Sequence, residues 1–251
     1  MRRDERGTIL AVGAAGILVA ALALPALYYL GLSMTPRPRP AGHQAAPALV
    51  RAALWAVNTG GPSMQLEPLS AASFVTLRVC RGFAARRATP QERSRGRDEC
   101  LRGHSGIASA TALADIHMAE QQVEARSFRL ALGQMANAAW VSRNWSAEAL
   151  LDALAATSDF GHGLRGVEAA SRGYFGKDPG ALRADEAAML AAMSDDGRLD
   201  PWCAPEPARA ARGRVLQAMH TNGAIDAAAL DVASHVPLAL AARPAGPACT
   251  P

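Results

Sequence analysis

The stretch GVEAASRGYFGKDPGALRADEAAMLAAM, residues 166–193, reads as a helix, a glycine-broken turn and a second helix. Gly176 and Gly180 bracket Lys177, Asp178 and Pro179 in a tight connection, since glycine and proline together punctuate a helix. Asp185 and Glu186 begin the second helix, which carries Ala187, Ala188, Leu190, Ala191 and Ala192. Small residues on such a face let neighbouring helices approach closely. Just upstream, DFGHGLRG at residues 159–166 is a glycine-rich turn, where the backbone must bend sharply or meet something at close range.

The rest of the chain carries the same bias. Half of its 251 residues are hydrophobic but only 5% are aromatic, and alanine is abundant. That composition favours close-packed helices over a β-sandwich or barrel built from β-branched and aromatic strands. The length suits one good core rather than two ordinary domains. An all-α core is therefore expected. A helix is expected over 45–57, with Leu49, Leu54 and Val57 facing the core, and NTGGPS from Asn58 breaks it. From Ser109 to Ser142 apolar residues recur with helical spacing, and Ser146 then offers an N-cap to AEALLDALAAT, with Glu148 in its first turn. The segment 81–102, with Arg86, Arg87, Arg93, Arg95 and Arg97, reads as a solvated loop. Its functional alternative is contact with anionic headgroups or a pyrophosphate, which the arginine fork suits. The net charge of +4 is carried almost wholly by arginine, and nothing points to nucleic acid.

Residues 8–32, TILAVGAAGILVAALALPALYYLGL, carry no charge, and a helix needs about 20 apolar residues to cross a bilayer. Arg2, Arg3 and Arg6 precede the run, so the short N-terminus is expected in the cytoplasm and the remainder across the inner membrane, in the periplasm. Tyr28 and Tyr29 fall where the far interface would be. The rival reading is a cleaved signal peptide, which would have a shorter apolar core and a small-residue cleavage site. SMTPRPRPAGHQAAP, residues 33–47, reads as a short stiff spacer. The expected organisation is thus a tip and anchor at 1–32, a spacer at 33–47, one domain at 48–240 and a tail at 241–251.

Cys80, Cys100, Cys203 and Cys249 all lie on the exported side. Pairing Cys80 with Cys100 and Cys203 with Cys249 is the local choice among three connectivities, and four unpaired thiols are the alternative. No cysteine–histidine cluster suggests a metal site.

With those elements in place, FGHGLRGVEAASRGYFGKDPGALRADEAAMLAAM, residues 160–193, resembles the C-terminal half of the peptidoglycan glycosyltransferase domain, glycosyltransferase family 51. Phe160, Gly161, Gly163, Gly166, Ala169, Ala170, Tyr174, Phe175, Gly176, Lys177, Leu182, Glu186, Ala187, Ala188, Leu190 and Ala191 fall in the family register. PEPARAARGRVLQAMHTNGAID resembles the helix that follows in the family, and SRNWSAEALLDA resembles the segment upstream. The resemblance implies a lysozyme-like transglycosylase domain behind a single N-terminal transmembrane helix. It also implies polymerisation of lipid II into glycan strands. In that chemistry a glutamate takes the proton of the acceptor hydroxyl. Cations or a divalent metal ion stabilise the departing pyrophosphate.

The chain departs from the family pattern where that chemistry resides. Asn58 and Thr59 stand where the family has a glutamate–aspartate pair, and an amide cannot accept a proton. GIASATALA from Gly106 keeps little of the family's donor-binding motif. The second family glutamate falls on Gln134, its arginine–lysine pair on Leu130 and Ala131, and its tyrosine–leucine–asparagine on Leu154, Ala155 and Ala156. Arg126 and Arg129 are one turn away from the lost cations, and with Gly161, Gly163 and Gly166 they are the candidate substrate-binding positions. Glu67, nine residues after Asn58, is the candidate for a relocated base, with an exposed loop carboxylate as the plainer reading. His162 is expected as a polar turn residue, and Glu168 and Glu186 as capping or ion-pairing groups. An inactive or strongly weakened relative is expected. The alternatives are an active enzyme with displaced groups, a scaffold that binds lipid II or glycan and recruits cell-wall synthesis proteins, and a purely structural membrane-anchored partner.

Overall fold

A computed structural model of the chain describes residues 22–40, 44–58, 61–87, 89, 92, 96, 99–100, 104–124, 127–243 and 249. The helices are α1 (22–34), α2 (Ala48–Val57), α3 (Ala71–Ala84), α4 (Ile107–Glu120) and α5 (Phe128–Asn144). They continue with α6 (Ala147–Thr157), α7 (Val167–Phe175), α8 (Ala184–Asp195), α9 (Pro205–Thr221) and α10 (Ala227–His235), with a 3-10 turn at Pro179–Ala181. Among the described residues there is no strand, only an isolated bridge between Asp159 and Arg165.

The helix expected to decide the fold lies at its centre. Every residue of α8 from Asp185 to Met193 is buried, and α2, α9 and α10 pack around it. A helix enclosed on all sides cannot keep a polar stripe. Its alanines leave room for those neighbours, and the two acidic residues of its first turn are paired in place. Glu186, 0% exposed, accepts from Lys177 Nζ at 2.7 Å and from the Arg183 backbone N–H at 2.9 Å, with Arg183 Nη1 at 3.1 Å. Asp185 takes the Arg183 fork at 2.9 and 2.8 Å. The expectation of capping and ion pairing thus holds for Glu186, while Glu168 pairs with Arg172 one turn on.

Helix α2 packs on α6, α8 and α9 with Val50, Ala53, Leu54, Trp55 and Ala56 buried. Its start is pinned to α6 by Asp152, whose carboxylate accepts the Arg51 fork at 2.7 and 3.0 Å and the Ala46 N–H at 2.8 Å. Helix α6 starts where Ser146 predicts, with the serine side chain accepting from Ala149 N–H. Ser127 caps α5 in the same way. Arg212 of α9, buried so that its guanidinium is easier to deprotonate than usual, donates to Ser234 and Val236 carbonyls at the end of α10. Both disulfides follow the local pairing, Cys80–Cys100 and Cys203–Cys249. The second fastens the C-terminal strap, in which Ala241 donates to the Tyr174 carbonyl and accepts from the Trp202 indole.

One expectation needs correction. Residues 81–84 are not loop but the last turn of α3, a helix hidden from propensity by its threonine, valines, phenylalanine, cysteine and glycine. The first half of the proline-rich spacer is bonded to the domain. Extended, proline-bearing backbone leaves its carbonyls unbonded, and here the domain uses them. Met34 O accepts both Arg129 Nε and Nη2 at 3.1 and 2.8 Å, Pro36 O meets His117 Nε2 at 2.6 Å, and buried Thr35 accepts from Asn137. Arg37 lies over the Trp140 ring. Finally, no helix among the described residues is long and apolar enough to cross a membrane. The expected span 8–32 begins outside the described residues.

Candidate functional site

The site is best built outward from α4. This helix begins after Gly106, whose φ of 75° is left-handed and whose position no side chain can share. A Cβ there would lie 2.3 Å from Leu66 Cδ2 and 3.0 Å from the Trp55 ring. Trp55 comes from the last turn of α2, and its indole donates to Gly61 O at 2.8 Å. The loop from 61 to 69 is then laid against the start of α4 by Glu67 N–H, which donates to Ser105 O at 3.1 Å. Farther along, Leu69 N–H donates to Ser142 Oγ and Leu69 O accepts from Arg143. One corner therefore collects the end of α2, this loop and the start of α4.

Asn58 and Glu67 both belong to that corner. Asn58 caps α2, and its Nδ2 donates to Leu54 O at 2.9 Å, so the amide is turned back onto its own helix. The half-exposed Glu67 carboxylate stands 3.8 Å from His104 Nδ1. A carboxylate beside an imidazole, open to solvent, can pass a proton to or from a bound hydroxyl. His104 is a residue that sequence reading missed. Its only local signal is its place two residues before Gly106, and its partner is 37 positions away in the chain.

The remaining candidates lie at the other end of α4. Helices α4 and α5 run antiparallel, because Met118 lies against Gly133 and Asn137 while Ser142 and Leu69 lie toward Ile107. Gln134 is therefore level with Met118, roughly 15 Å along the axis from the Glu67 corner. It is half-buried and makes no side-chain hydrogen bond among the described residues. Leu130 and Ala131 bring no charge to the turn before it. Arg129 is spent on the Met34 carbonyl. Arg126 and Thr59 lie outside the described residues.

The glycine turn also belongs to this far end, where Arg165 pairs with Glu120 in the last turn of α4. Gly161, Gly163 and Gly166 have φ of 78°, 74° and 79°. They close a reversal in which Phe160 N–H donates to Leu164 O, Leu164 N–H to Gly161 O, and Gly166 N–H returns to Ser158 O. His162, itself at φ 53°, bonds Asp200 Oδ2 at 3.0 Å and stands edge-on to Trp202. Tyr174 stacks on Trp202 and donates to Phe160 O at 2.7 Å. Burial first, then the nearby Asp200 and Asp159 charges, hold its hydroxyl protonated far above the usual range. The candidate site is thus an elongated strip with a proton-handling pair at one end and a rigid polar turn at the other.

No group of three His, Cys, Asp or Glu side chains among the described residues is placed to hold a metal ion. Glu67 and His104 bring two possible donors together, and a divalent ion held there would take its remaining ligands from water or a substrate phosphate.

A family model, Transglycosylase, matches residues 85–220. Penicillin-binding protein 1C of Escherichia coli (strain K12) is 48% identical over 65 residues, which cover 26% of this chain and 8% of that protein. Biosynthetic peptidoglycan transglycosylases of Acinetobacter baumannii strains SDF and ACICU are 40% identical over 72 residues, covering 28% of this chain and 32% of theirs. The chain therefore spans about a third or less of the curated relatives it matches. The family match extends over more than half of the 251 residues, and together with the helical core around α8 it means that this chain belongs to the transglycosylase family.

Proposed function

We propose that this chain is a peptidoglycan glycosyltransferase-like module of cell-wall biogenesis, held on the inner membrane by a single N-terminal span with its domain in the periplasm. It binds lipid II or the glycan strand and polymerises it weakly or not at all. The observation that carries the reading is the state of Asn58. Where the family resemblance puts a glutamate base, this chain presents an amide that cannot take a proton and that is bonded to Leu54 O. The far end adds to the deficit, because Leu130, Ala131 and Gln134 offer no charge to a leaving pyrophosphate and Arg129 is engaged elsewhere. Retention of the fold without the chemistry suits a scaffold that recruits cell-wall synthesis proteins.

The test is polymerisation of lipid II by the full chain, read as glycan length on a gel, beside binding of a lipid II analogue. Binding without polymer is the expected result. Robust polymer would overturn the reading. The Glu67–His104 pair supports a second reading, an active enzyme with a relocated base, in which Glu67 removes the acceptor proton and His104 orients the carboxylate. Any polymer made by the wild type should then vanish in Glu67→Gln, and unchanged polymer in that variant would dismiss it.

A further inference from the structure

Beyond α10 the chain continues as an extended strap. In VPLALA, residues 236–241, Val236, Leu238 and Leu240 are half-buried while Pro237 and Ala239 are exposed, the two-residue alternation of extended backbone laid on a surface. Leu238 and Leu240 pack on the main core, and the buried Arg212 holds the start of the strap through the Ser234 and Val236 carbonyls. Ala241 is held between the Tyr174 carbonyl at 2.7 Å and the Trp202 indole at 3.0 Å. The far end is fastened by Cys249, bridged to Cys203. Neither the strap nor Cys249 falls within residues 85–220, the span that the family model matches.

Two routes lead from that bridge to the glycine turn. Cys203 N–H and Trp202 N–H both donate to Asp200 Oδ1, at 3.2 and 2.9 Å, and the other oxygen of the same carboxylate meets His162 Nε2 at 3.0 Å. Trp202 also stacks on Tyr174 with ring centroids 4.3 Å apart, and the Tyr174 hydroxyl donates to Phe160 O. The two disulfides differ in access. Cys100 is buried, whereas Cys249 is exposed and Cys203 half-buried. Arg243 Nη1 lies 3.2 Å from Cys249 Sγ, where a guanidinium stabilises a departing thiolate. Thiol–disulfide exchange is fastest at an accessible sulfur whose partner leaves as a stabilised thiolate.

We infer that Cys203–Cys249 is a site of reversible reduction by a dithiol oxidoreductase, and that its redox state sets the rigidity of the glycine turn. One thiolate of the dithiol attacks Cys203 Sγ, the bond between the two sulfurs breaks, and Cys249 leaves as a thiolate beside Arg243. The second thiolate of the dithiol then attacks its own partner sulfur in the mixed disulfide and releases Cys203. Two electrons pass from the dithiol, which ends as a disulfide, and its two protons end on Cys203 and Cys249. Without the bridge the end of the strap frays, Trp202 loses its acceptor at Ala241, and the reversal that carries Gly161, Gly163 and Gly166 opens more often. The oxidised strap holds those candidate substrate-binding glycines in place, and the reduced strap slackens them. This coupling does not depend on turnover or on lipid II binding.

The test treats the purified full chain with limiting dithiothreitol, traps new thiols with N-ethylmaleimide and maps them by mass spectrometry. Cys203 and Cys249 should be labelled about ten-fold faster than Cys80 and Cys100. Hydrogen exchange is then measured on the protein reduced at that bridge alone. The amides of Leu164, Gly166 and Ala241, bonded to Gly161, Ser158 and Tyr174 carbonyls, should exchange about ten-fold faster, with those of α2 and α8 unchanged. Reoxidation by oxidised glutathione should restore the slow rates. Cys249→Ser, which lacks the bridge, should match the reduced wild type, and if that variant does not accumulate the wild type alone decides. Labelling at equal rates, or faster at Cys80 and Cys100, overturns the assignment of the reducible site. Unchanged exchange at Leu164 and Gly166 makes the bridge a plain staple and overturns the coupling. Acceleration spread over α2 and α8 overturns it as well, because the whole domain has then loosened.

Discussion

Gly166 is the point where the glycine turn enters α7, and replacing it with alanine tests the loop geometry directly. Its φ of 79° and ψ of 150° lie in a region that only glycine populates freely, which costs another residue about 1–3 kcal/mol. The added Cβ would also sit 2.8 Å from the Ala156 carbonyl oxygen, a backbone atom that cannot swing aside. Forcing that contact apart adds about 1–3 kcal/mol, as overpacking does elsewhere in a close-packed interior. The total is roughly 4 kcal/mol, which for a domain of about 200 residues lowers Tm by on the order of 10 °C. Gly163→Ala is the matched control, because φ is again left-handed at 74° but nothing lies within 4 Å of the new Cβ. Its cost is the conformational part alone, roughly 1–2 kcal/mol, and a correspondingly smaller shift. Both are read by thermal unfolding followed by circular dichroism. Equal losses in the two variants would refute the steric argument, and a Gly166→Ala protein melting with the wild type would refute the turn itself.

Lys177→Met should cost about 2 kcal/mol in urea unfolding, since it strips the closest cation from the buried Glu186 and leaves only Arg183 to hold it. Glu186→Gln in the same background should recover part of that loss. In alkali, Tyr174 sets a further expectation. Its folded-state pKa is raised, so the stability it confers is complete below the ordinary tyrosine value of 10.0 and is lost as pH climbs beyond it, while the unfolded chain ionises first. Tyr174→Phe should flatten the fall of stability above pH 10, and an unchanged slope would exclude Tyr174 as its source. Asn58→Glu alone should yield little lipid II polymer, and adding Gln134→Glu, Leu130→Arg and Ala131→Lys should yield more, because base and leaving-group stabilisation serve one transition state. Equal output from the single and combined variants would separate the two ends of α4 functionally.

Much of the helical core was legible because its determinants are local. Ser146 announces α6 by capping, the alanines of α8 announce a helix packed on every side, and the glycines of 161–166 announce left-handed backbone. Each of those signals lies within a few residues of its effect. What escaped reading depends on residues far apart in the chain. Helix α3 has weak intrinsic propensity and persists through Leu77 in a small cluster and a disulfide across 20 positions. His104 meets Glu67 only because Gly106 lets the loop press against Trp55. The composition of 33–47 marked a stiff spacer, and nothing in SMTPRPRP reveals that Arg129 and His117 will take its Met34 and Pro36 carbonyls.

That grip on residues 34–37 gives the molecule a handle rather than a string. With Met34, Thr35 and Pro36 fastened to Arg129, Asn137 and His117, the link between α1 and the rest contains no swivel at its inner end. Torque applied to α1 passes directly into α5 and along α4, and the strip those helices carry keeps its tilt relative to α1. Whatever surface holds α1 therefore sets the height and heading of the Glu67 corner, instead of leaving it to sample every orientation by tumbling.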